Sequence, residues 1–296
     1  MTETLSTAAS PAPPPDRGWQ LRVVHSTGYH YASPATQSYN EARLTPRSDR
    51  RQDVLATRIE TTPATRAYRY TDYWGTEVTS FDLHAPHIEF TVVATSVVET
   101  VEAVPPVREA TWKDLRSEPV LDEHDEFLRP TKYTPRDREL ATVARRLRKG
   151  NDPTDTVLAV AGWVHEQLTY RPGSTGVHST ATDAWRAREG VCQDYAHVTL
   201  VMLRAIGIPA RYVSGYLHTR PDAALGETVA GESHAWVDVW TGGWWAYDPT
   251  NAMLVGPRHV WVATGRDYAD VAPLKGIFTG GAGSTLDVSV QLTRLA

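Results

Sequence analysis

The chain has 296 residues, of which 41% are hydrophobic and 22% are charged. This length supports one large domain or two of ordinary size, and this composition excludes a disordered, collagen-like or membrane-embedded chain. The 30 Lys and Arg residues are outnumbered by 35 Asp and Glu, and the net charge of −5 argues against a nucleic-acid partner bound through bulk positive charge.

The first 18 residues are small, polar and rich in proline, and they lack the basic start and apolar stretch of a signal peptide. This pattern predicts a disordered tail over residues 1–18 on a cytoplasmic protein. No apolar run approaches the roughly 18–20 residues that a membrane helix needs, so we expect no membrane partner.

A β pattern extends over residues 19–105. Its segments are rich in β-branched and aromatic residues and are separated by turn signals; they cover residues 21–24, 54–59, 67–70 and 88–101. We therefore predict a small antiparallel β domain of the sandwich type, which ends at the pair Pro105-Pro106.

Residues 106–296 predict a domain of α+β class, with helices first and an antiparallel sheet after them. One helix is expected to begin at Pro135 with Thr134 as its N-cap, and a second at Pro153 after Asp152. Residues 196–206 are apolar on nearly every helical face, which predicts a central buried helix. A last strand of this domain is predicted at residues 286–292.

Cys192 is the only cysteine of the chain. A single cysteine excludes an internal disulfide and every zinc site built from several cysteines. It follows Gly190 and Val191 at the start of the buried helix, where the positive end of the helix dipole favours a thiolate. A thiolate attacks carbonyl carbons, and we expect the glycine to let a substrate approach the backbone.

A nucleophile needs a base, and two predicted strands supply candidates. Residues 234–240 and 244–248 are predicted strands, in which successive side chains alternate between the two faces of the sheet. Thr241-Gly242-Gly243 connects them. A three-residue loop would place Trp236 opposite Asp248, and Asp248 would then lie diagonal to His234 at about 7–8 Å between backbones. A two-residue turn would place Asp248 on the other face of the sheet. The prediction of an aspartate that orients His234 depends on this turn.

Four ordered motifs resemble the core of the transglutaminase-like superfamily, which consists of cysteine acyltransferases and peptidases with a papain-like fold. They are Gly190-Val191-Cys192 with Asp194-Tyr195, Gly207-Ile208-Pro209-Ala210-Arg211 with Gly215-Tyr216, His234-Ala235-Trp236-Val237, and Tyr247-Asp248-Pro249-Thr250-Asn251. The β-rich start is similar to the N-terminal domain of the bacterial members, in residues 39–47 and 72–75.

The resemblance implies that Cys192 is the nucleophile, His234 the general base and acid, and Asp248 the residue that orients the histidine. It implies acyl transfer at a peptide or glutamine-type amide of a peptide or protein substrate through a thioester, with no cofactor. Hydrolysis is the favoured outcome; transfer to an amine is an alternative, and a non-catalytic peptide-binding or assembly module is another. The oligomeric state is left open.

Trp236 shares a strand face with His234, and it joins Asp194 and Tyr195 as a candidate cleft-lining residue. His197 lies on the buried helix, where packing in the core is favoured over a place in the cleft. No metal site is expected, because no pair of the 11 histidines has convincing ligand spacing.

Overall fold

The computed structural model describes residues 17–231, 233–281 and 283–296. Residues 1–16 of the predicted tail lie outside the described residues, and the first strand begins at Arg17. The cytoplasmic location inferred from that tail stays a prediction. Within the described ranges, no helix is long and apolar enough to cross a membrane.

Five strands form the N-terminal β region and contain all four β segments predicted from the sequence. They are β1 (Arg17–Ala42), β2 (Gln52–Thr62), β3 (Ala67–Thr71), β4 (Glu77–Leu83) and β5 (His87–Val101). β1 pairs with β5 along its first part and with β4 at its end. Phe81 of β4 and Phe90 of β5 are buried together, with ring centroids 5.4 Å apart. The strands belong to one sheet whose β4 and β5 segments pack against each other, which agrees with the sandwich-like region that we predicted.

The helices follow in the middle of the chain. They are α1 (Glu118–His124), α2 (Arg138–Leu147), α3 (Pro153–Gln167), α4 (Ala181–Ala187) and α5 (Cys192–Arg204), with the short strands β6 (Thr169–Tyr170) and β7 (Glu189–Gly190) paired in parallel. α5 is buried along its length after its first residue, as its apolar sequence predicts.

The starts of two helices test the capping predictions. α3 begins as expected, because Asp152 accepts the backbone N–H of Asp155 at 2.8 Å. The predicted start of α2 at Thr134 is wrong: Asp137 caps this helix instead and accepts the N–H of Leu140 at 2.9 Å. The Thr134 hydroxyl accepts a hydrogen bond from Arg204, so it is committed to a contact that the local sequence does not reveal.

The last third of the chain is mainly strand. Its elements are β8 (Ala210–Leu217), β9 (Thr228–Gly231), β10 (Ser233–Trp240), β11 (Trp244–Asp248), β12 (Met253–Leu254), β13 (His259–Gly265), α6 (Tyr268–Val271), β14 (Leu274–Gly280) and β15 (Ser284–Arg294). Five of these strands form an antiparallel sheet in the order β12-β11-β10-β8-β13, and α5 packs against β8 and β10. This arrangement is the helix-on-sheet core expected for the α+β class.

The last strands of the chain join the N-terminal sheet. β14 and β15 both pair with β1, and β9 pairs with β15. We predicted the strand at residues 286–292 as part of the catalytic domain, and the structure places it beside β1 instead. The backbone N–H and C=O groups of a long strand such as β1 need hydrogen-bond partners, and strands from a distant part of the chain can supply them. The domain boundaries after residues 18 and 105 stay predictions.

Candidate active site

Cys192 is the first residue of α5, and the carboxylate of Asp194 fixes this end of the helix. Asp194 accepts the backbone N–H of Val191 at 2.8 Å and the hydroxyl of Thr175 at 2.6 Å. The N–H groups at the start of a helix have no partner within it, and those of Cys192 and Gln193 belong to this first turn. Cys192 therefore lies at the positive end of the α5 helix dipole.

Gly190 has a different use from the one predicted. A Cβ at this position would lie 2.6 Å from the Cβ of Asp194. The missing side chain thus makes room for the carboxylate that caps α5, and not for a substrate. Burial raises the pKa of Asp194, while its hydrogen bonds from Thr175 and Val191 lower it.

The β10–β11 hairpin has the predicted register. Trp240 pairs with Trp244 and Val237 with Tyr247, so residues 241–243 form a three-residue connection. Asp248 therefore lies on the same face as His234, and its Oδ2 accepts a hydrogen bond from His234 Nε2 at 2.7 Å. The orienting contact that depended on the turn is present.

The electrostatics of the pair favour a charged imidazole. Burial lowers the pKa of His234, but the charge and hydrogen bond of Asp248 and the contact with Cys192 outweigh it and raise the pKa to about 10. Because Nε2 is bonded to Asp248, Nδ1 is the nitrogen that can exchange a proton with a neighbouring group. The Cys192 thiol lies at the start of β10, with Sγ 3.9 Å from the carbonyl oxygen of Ser233.

Asp248 has further partners that the sequence did not reveal. Asn251 Nδ2 donates to Oδ2 at 2.7 Å, and the backbone N–H groups of Thr250 and Asn251 donate to Oδ1. Burial raises the pKa of Asp248, but the charge and hydrogen bond of His234 and the hydrogen bond of His259 outweigh it and hold the pKa well below its usual range. The carboxylate is therefore ionised and fixed in orientation.

His259, at the start of β13, is a second histidine on the same carboxylate. The N–H of Gly256 donates to its Nδ1 at 3.2 Å, so a neutral His259 ring carries its hydrogen on Nε2, which faces Asp248 Oδ2 at 3.4 Å. Burial lowers the pKa of His259, which favours this neutral form. No local spacing connects His259 with Asp248, because β13 is brought to the site by pairing with β8.

The same three side chains are the group whose geometry could hold a metal. Each of His234, Asp248 and His259 offers one possible ligand atom, and these three atoms lie within 4.8 Å of one another. These atoms already hydrogen-bond with one another, and a cation would have to replace those bonds.

Cys192 and His234 line one cleft of about 340 Å³. The described residues on its wall include no Lys, Arg, Asp or Glu, and aromatic and aliphatic side chains dominate it, among them Tyr170, Val177, Tyr212, Tyr268, Val288 and Val290. Strand β15 contributes the two last valines, so the N-terminal sheet forms part of the cleft.

The three predicted cleft-lining residues lie behind this wall. Asp194 is fully buried in the first turn of α5. The Tyr195 hydroxyl donates to the carbonyl of Leu168 at 2.7 Å. Trp236 is fully buried between the rings of His259 and Trp261. His197 is buried as expected, and its Nε2 accepts the N–H of Tyr268 at 3.2 Å.

A buried helix that carries a cysteine at its start, packed on a sheet that carries a histidine and an aspartate, is the arrangement of a papain-like core. The sequence matches the transglutaminase-like superfamily model over residues 141–249 and the bacterial transglutaminase-like N-terminal region over residues 21–99. The chain belongs to the transglutaminase-like superfamily, whose members are usually enzymes.

The chain is also similar to individual relatives and to a solved structure. An uncharacterized protein of Mycobacterium leprae is 57% identical over 94% of this chain and 100% of its own length. A protein-glutamine gamma-glutamyltransferase of Pseudomonas aeruginosa is 31% identical over 52% of this chain and 24% of its own length. The crystal structure of a proposed cysteine protease from Cytophaga hutchinsonii is 23% identical with a TM-score of 0.72, covering 94% of this chain and 98% of that one, so the two share a fold.

Proposed function

We propose that this protein catalyses cysteine-dependent acyl transfer at an amide of a peptide or protein, with Cys192 as nucleophile, His234 as general acid and base, and Asp248 as the orienting carboxylate. The observation that carries the proposal is the 2.7 Å bond between His234 and Asp248 beside the cleft that His234 shares with Cys192. A nucleophile, a base and a residue that orients the base are the parts that this chemistry needs.

Acylation begins with the Cys192 thiolate and the protonated ring of His234. The sulfur attacks the carbonyl carbon of the amide, and the N–H groups at the start of α5 stabilise the negative charge on the carbonyl oxygen. The carbon–nitrogen bond breaks as His234 Nδ1 gives its proton to the departing amine. The products of this step are a free amine and a thioester on Cys192.

Deacylation restores the enzyme. Neutral His234 takes a proton from water, the resulting oxygen nucleophile attacks the thioester, and the sulfur leaves as a thiolate beside the reprotonated ring. Asp248 holds the ring in one orientation and stabilises its positive charge in both steps. We favour water as the acceptor because the solved structure that shares this fold, from Cytophaga hutchinsonii, is described as a proposed cysteine protease.

Transfer to an amine is the second candidate. The match to the gamma-glutamyltransferase of Pseudomonas aeruginosa favours it, since that relative is named for transfer from glutamine. An amine would take the place of water in the last step and give a new amide. The aromatic and aliphatic side chains that dominate the described wall are compatible with a glutamine side chain and with a peptide segment alike.

The first test asks whether the site is catalytic. A cysteine-reactive amide or ester probe should label wild-type protein at Cys192, and His234→Ala should greatly reduce the labelling rate. Cys192→Ala should abolish labelling, and His30→Ala, at an exposed histidine of β1, should leave it unchanged. Equally slow labelling of the wild type and His234→Ala would contradict catalysis and favour a peptide-binding module.

The second test separates the two acceptors. A glutamine-containing peptide is incubated with the protein and a primary amine, and the products are identified by mass. Cleaved or deamidated peptide alone supports hydrolysis, whereas an amine adduct supports transfer. Cys192→Ala is the control for the background reaction.

A further inference from the structure

A second cavity, of about 580 Å³, lies at the opposite end of α5 from Cys192. Its wall shares no residue with the catalytic cleft. The 13 residues of α5 span about 20 Å, so a ligand in this cavity would be well separated from the thiol.

Arginine is the dominant charged residue of this cavity. Arg136, Arg138, Arg145 and Arg204 line it, and we call it the arginine cavity. Asp137 is the acidic residue on the described wall, and its carboxylate is occupied as the N-cap of α2. The positive charge of the cavity is therefore not balanced from within.

Three of these arginines have no counter-ion. Among the described residues, no carboxylate lies within ion-pair distance of Arg136, Arg138 or Arg145. Other arginines of the chain do pair in this way, as Arg43 does with Asp72 at 3.1 Å. The guanidinium groups around the cavity are thus free to bind an anion.

The position of α2 increases the concentration of positive charge. Arg136 and Arg138 flank the N-cap of this helix, where the helix dipole disfavours cations and favours anions. The first N–H groups of the helix add donors without partners in the helix. The start of α2 therefore favours a bound anion beside Arg136 and Arg138, in addition to the carboxylate of Asp137.

Arg204 adds a buried charge to the inner wall. It is 8% exposed. Among the described residues, its guanidinium donates hydrogen bonds to uncharged oxygens alone: the carbonyl groups of Phe127, Arg129, Ala210 and Arg266 and the hydroxyl of Thr134. Burial lowers the pKa of Arg204 to about 10. A buried charge without a carboxylate in contact is costly, and an anion in the cavity would offset that cost.

We infer that the arginine cavity binds a small molecule that carries two or more phosphate groups. Guanidinium groups pair with phosphate oxygens in a fork geometry, and the charge of three arginines without a counter-ion is matched better by a ligand with several phosphates than by a single phosphate monoester. The cavity volume lies within the range of small-molecule sites in proteins. This site is independent of the proposed catalysis, because it uses none of the residues of the cleft.

The test is isothermal titration calorimetry of the full chain with inorganic pyrophosphate at low salt. The triple variant Arg136→Gln, Arg138→Gln, Arg145→Gln should weaken binding by at least about tenfold, because it removes the charge-assisted hydrogen bonds. The matched control changes three exposed arginines outside the cavity to glutamine, namely Arg22, Arg116 and Arg146, and should retain wild-type affinity. Circular dichroism checks that both variants are folded.

Each other outcome overturns the inference. Equal weakening in the two triple variants would mean non-specific attraction, and absence of pyrophosphate binding to the wild type would exclude the site. Tighter binding of citrate than of pyrophosphate would assign the cavity to a polycarboxylate instead. Cys192→Ala should bind pyrophosphate like the wild type, so failure of the catalytic proposal would leave this result intact.

Discussion

Asp248 is the residue on which the character of the site depends most directly. It receives hydrogen bonds from His234, Asn251, His259 and two backbone groups while fully buried, so its negative charge is held at a fixed point beside His234. Its field raises the pKa of His234. The aspartate thereby favours the protonated histidine that the proposed acylation needs.

The variant Asp248→Asn tests this role through the pH profile of kcat/KM. Asparagine keeps the shape of the side chain but removes its charge, so the pKa of His234 falls from about 10 and the loss of activity at high pH begins at a lower pH. At neutral pH we expect kcat/KM to fall by roughly 100-fold to 10,000-fold. Asp287→Asn, at an exposed carboxylate, is the control. If the high-pH limb of the kcat/KM profile stayed at the wild-type position, the proposed role of Asp248 would be contradicted.

His259 is expected to position Asp248 through its Nε2–H. His259→Phe removes this donor and should lower kcat by about tenfold with little change in KM, since a hydrogen bond to a charged group is lost without a change in the cleft wall. His259→Gln offers an amide donor in its place and should recover most of kcat. Steady-state kinetics of the two variants, with thermal melts, separate positioning from simple destabilisation. Equal kcat values for His259→Phe and His259→Gln would contradict the positioning role of His259.

At the scale of the elements, close contact between strands β8 and β13 places His234 and His259 around one carboxylate. Gly215 of β8 pairs with His234 of β10 on one side and with Trp261 of β13 on the other. A Cβ at Gly215 would overlap the carbonyl oxygen of Val260. The glycine is therefore required for the sheet to close at the site.

Gly215→Ala should destabilise the protein by about 1–3 kcal/mol or more, because the overlapping atom belongs to the backbone and cannot rotate away. The control is Gly162→Ala in α3, where a Cβ meets nothing within 4 Å and alanine favours the helix, so a gain of about 0.5–1 kcal/mol is expected. Urea denaturation measures both. Equal stability of the two variants would contradict the close approach of the strands.

At the scale of the whole molecule, the N-terminal sheet and the catalytic core form a shared interior. The valines of β15 that reach the cleft come from the N-terminal sheet, and one hydrophobic cluster includes Leu21 of β1 together with Leu200 of α5. His25 of β1 joins the two parts directly, because its ring hydrogen-bonds the hydroxyl of Tyr216 in β8 at 2.9 Å.

This interior should make stability depend on pH. Burial lowers the pKa of His25 to about 4 and that of His197 to about 3, so between these values and the unfolded pKa of 6.5 the unfolded state binds more protons. Stability therefore decreases as the pH falls from 7 to 5, by about 2 kcal/mol for each of these histidines. His234 has a raised pKa and therefore stabilises the folded state more as the pH falls. Most of this stabilisation is already present at pH 7, so between pH 7 and pH 5 it offsets only a small part of the decrease.

The variant His25→Gln should remove about 2 kcal/mol of the difference in unfolding free energy between pH 7 and pH 5, because glutamine does not titrate. Urea denaturation at the two pH values measures the difference. His30→Gln, on an exposed residue of the same strand, should retain the wild-type pH dependence. The same slope in His25→Gln as in the wild type would refute the assignment.

The sequence by itself determined the features that depend on neighbouring residues. The position of Cys192 at the start of an apolar helix, the alternation in β10 and β11, and the three-residue turn between them are local patterns. These patterns were sufficient to predict that Asp248 lies within reach of His234. Side chains alternate along a strand, so Asp248 could lie only on the same face of the sheet as His234 or on the opposite one. The resemblance to the superfamily came from the same local motifs.

Only the tertiary structure decided which distant segments meet. The contact of His259 with Asp248, the pairing of β15 with β1 and the grouping of Arg136 with Arg204 each join residues whose spacing carries no periodic signal. Backbone groups and buried charges must find partners when the chain collapses, and these partners are chosen by the packing of the whole molecule rather than by local sequence.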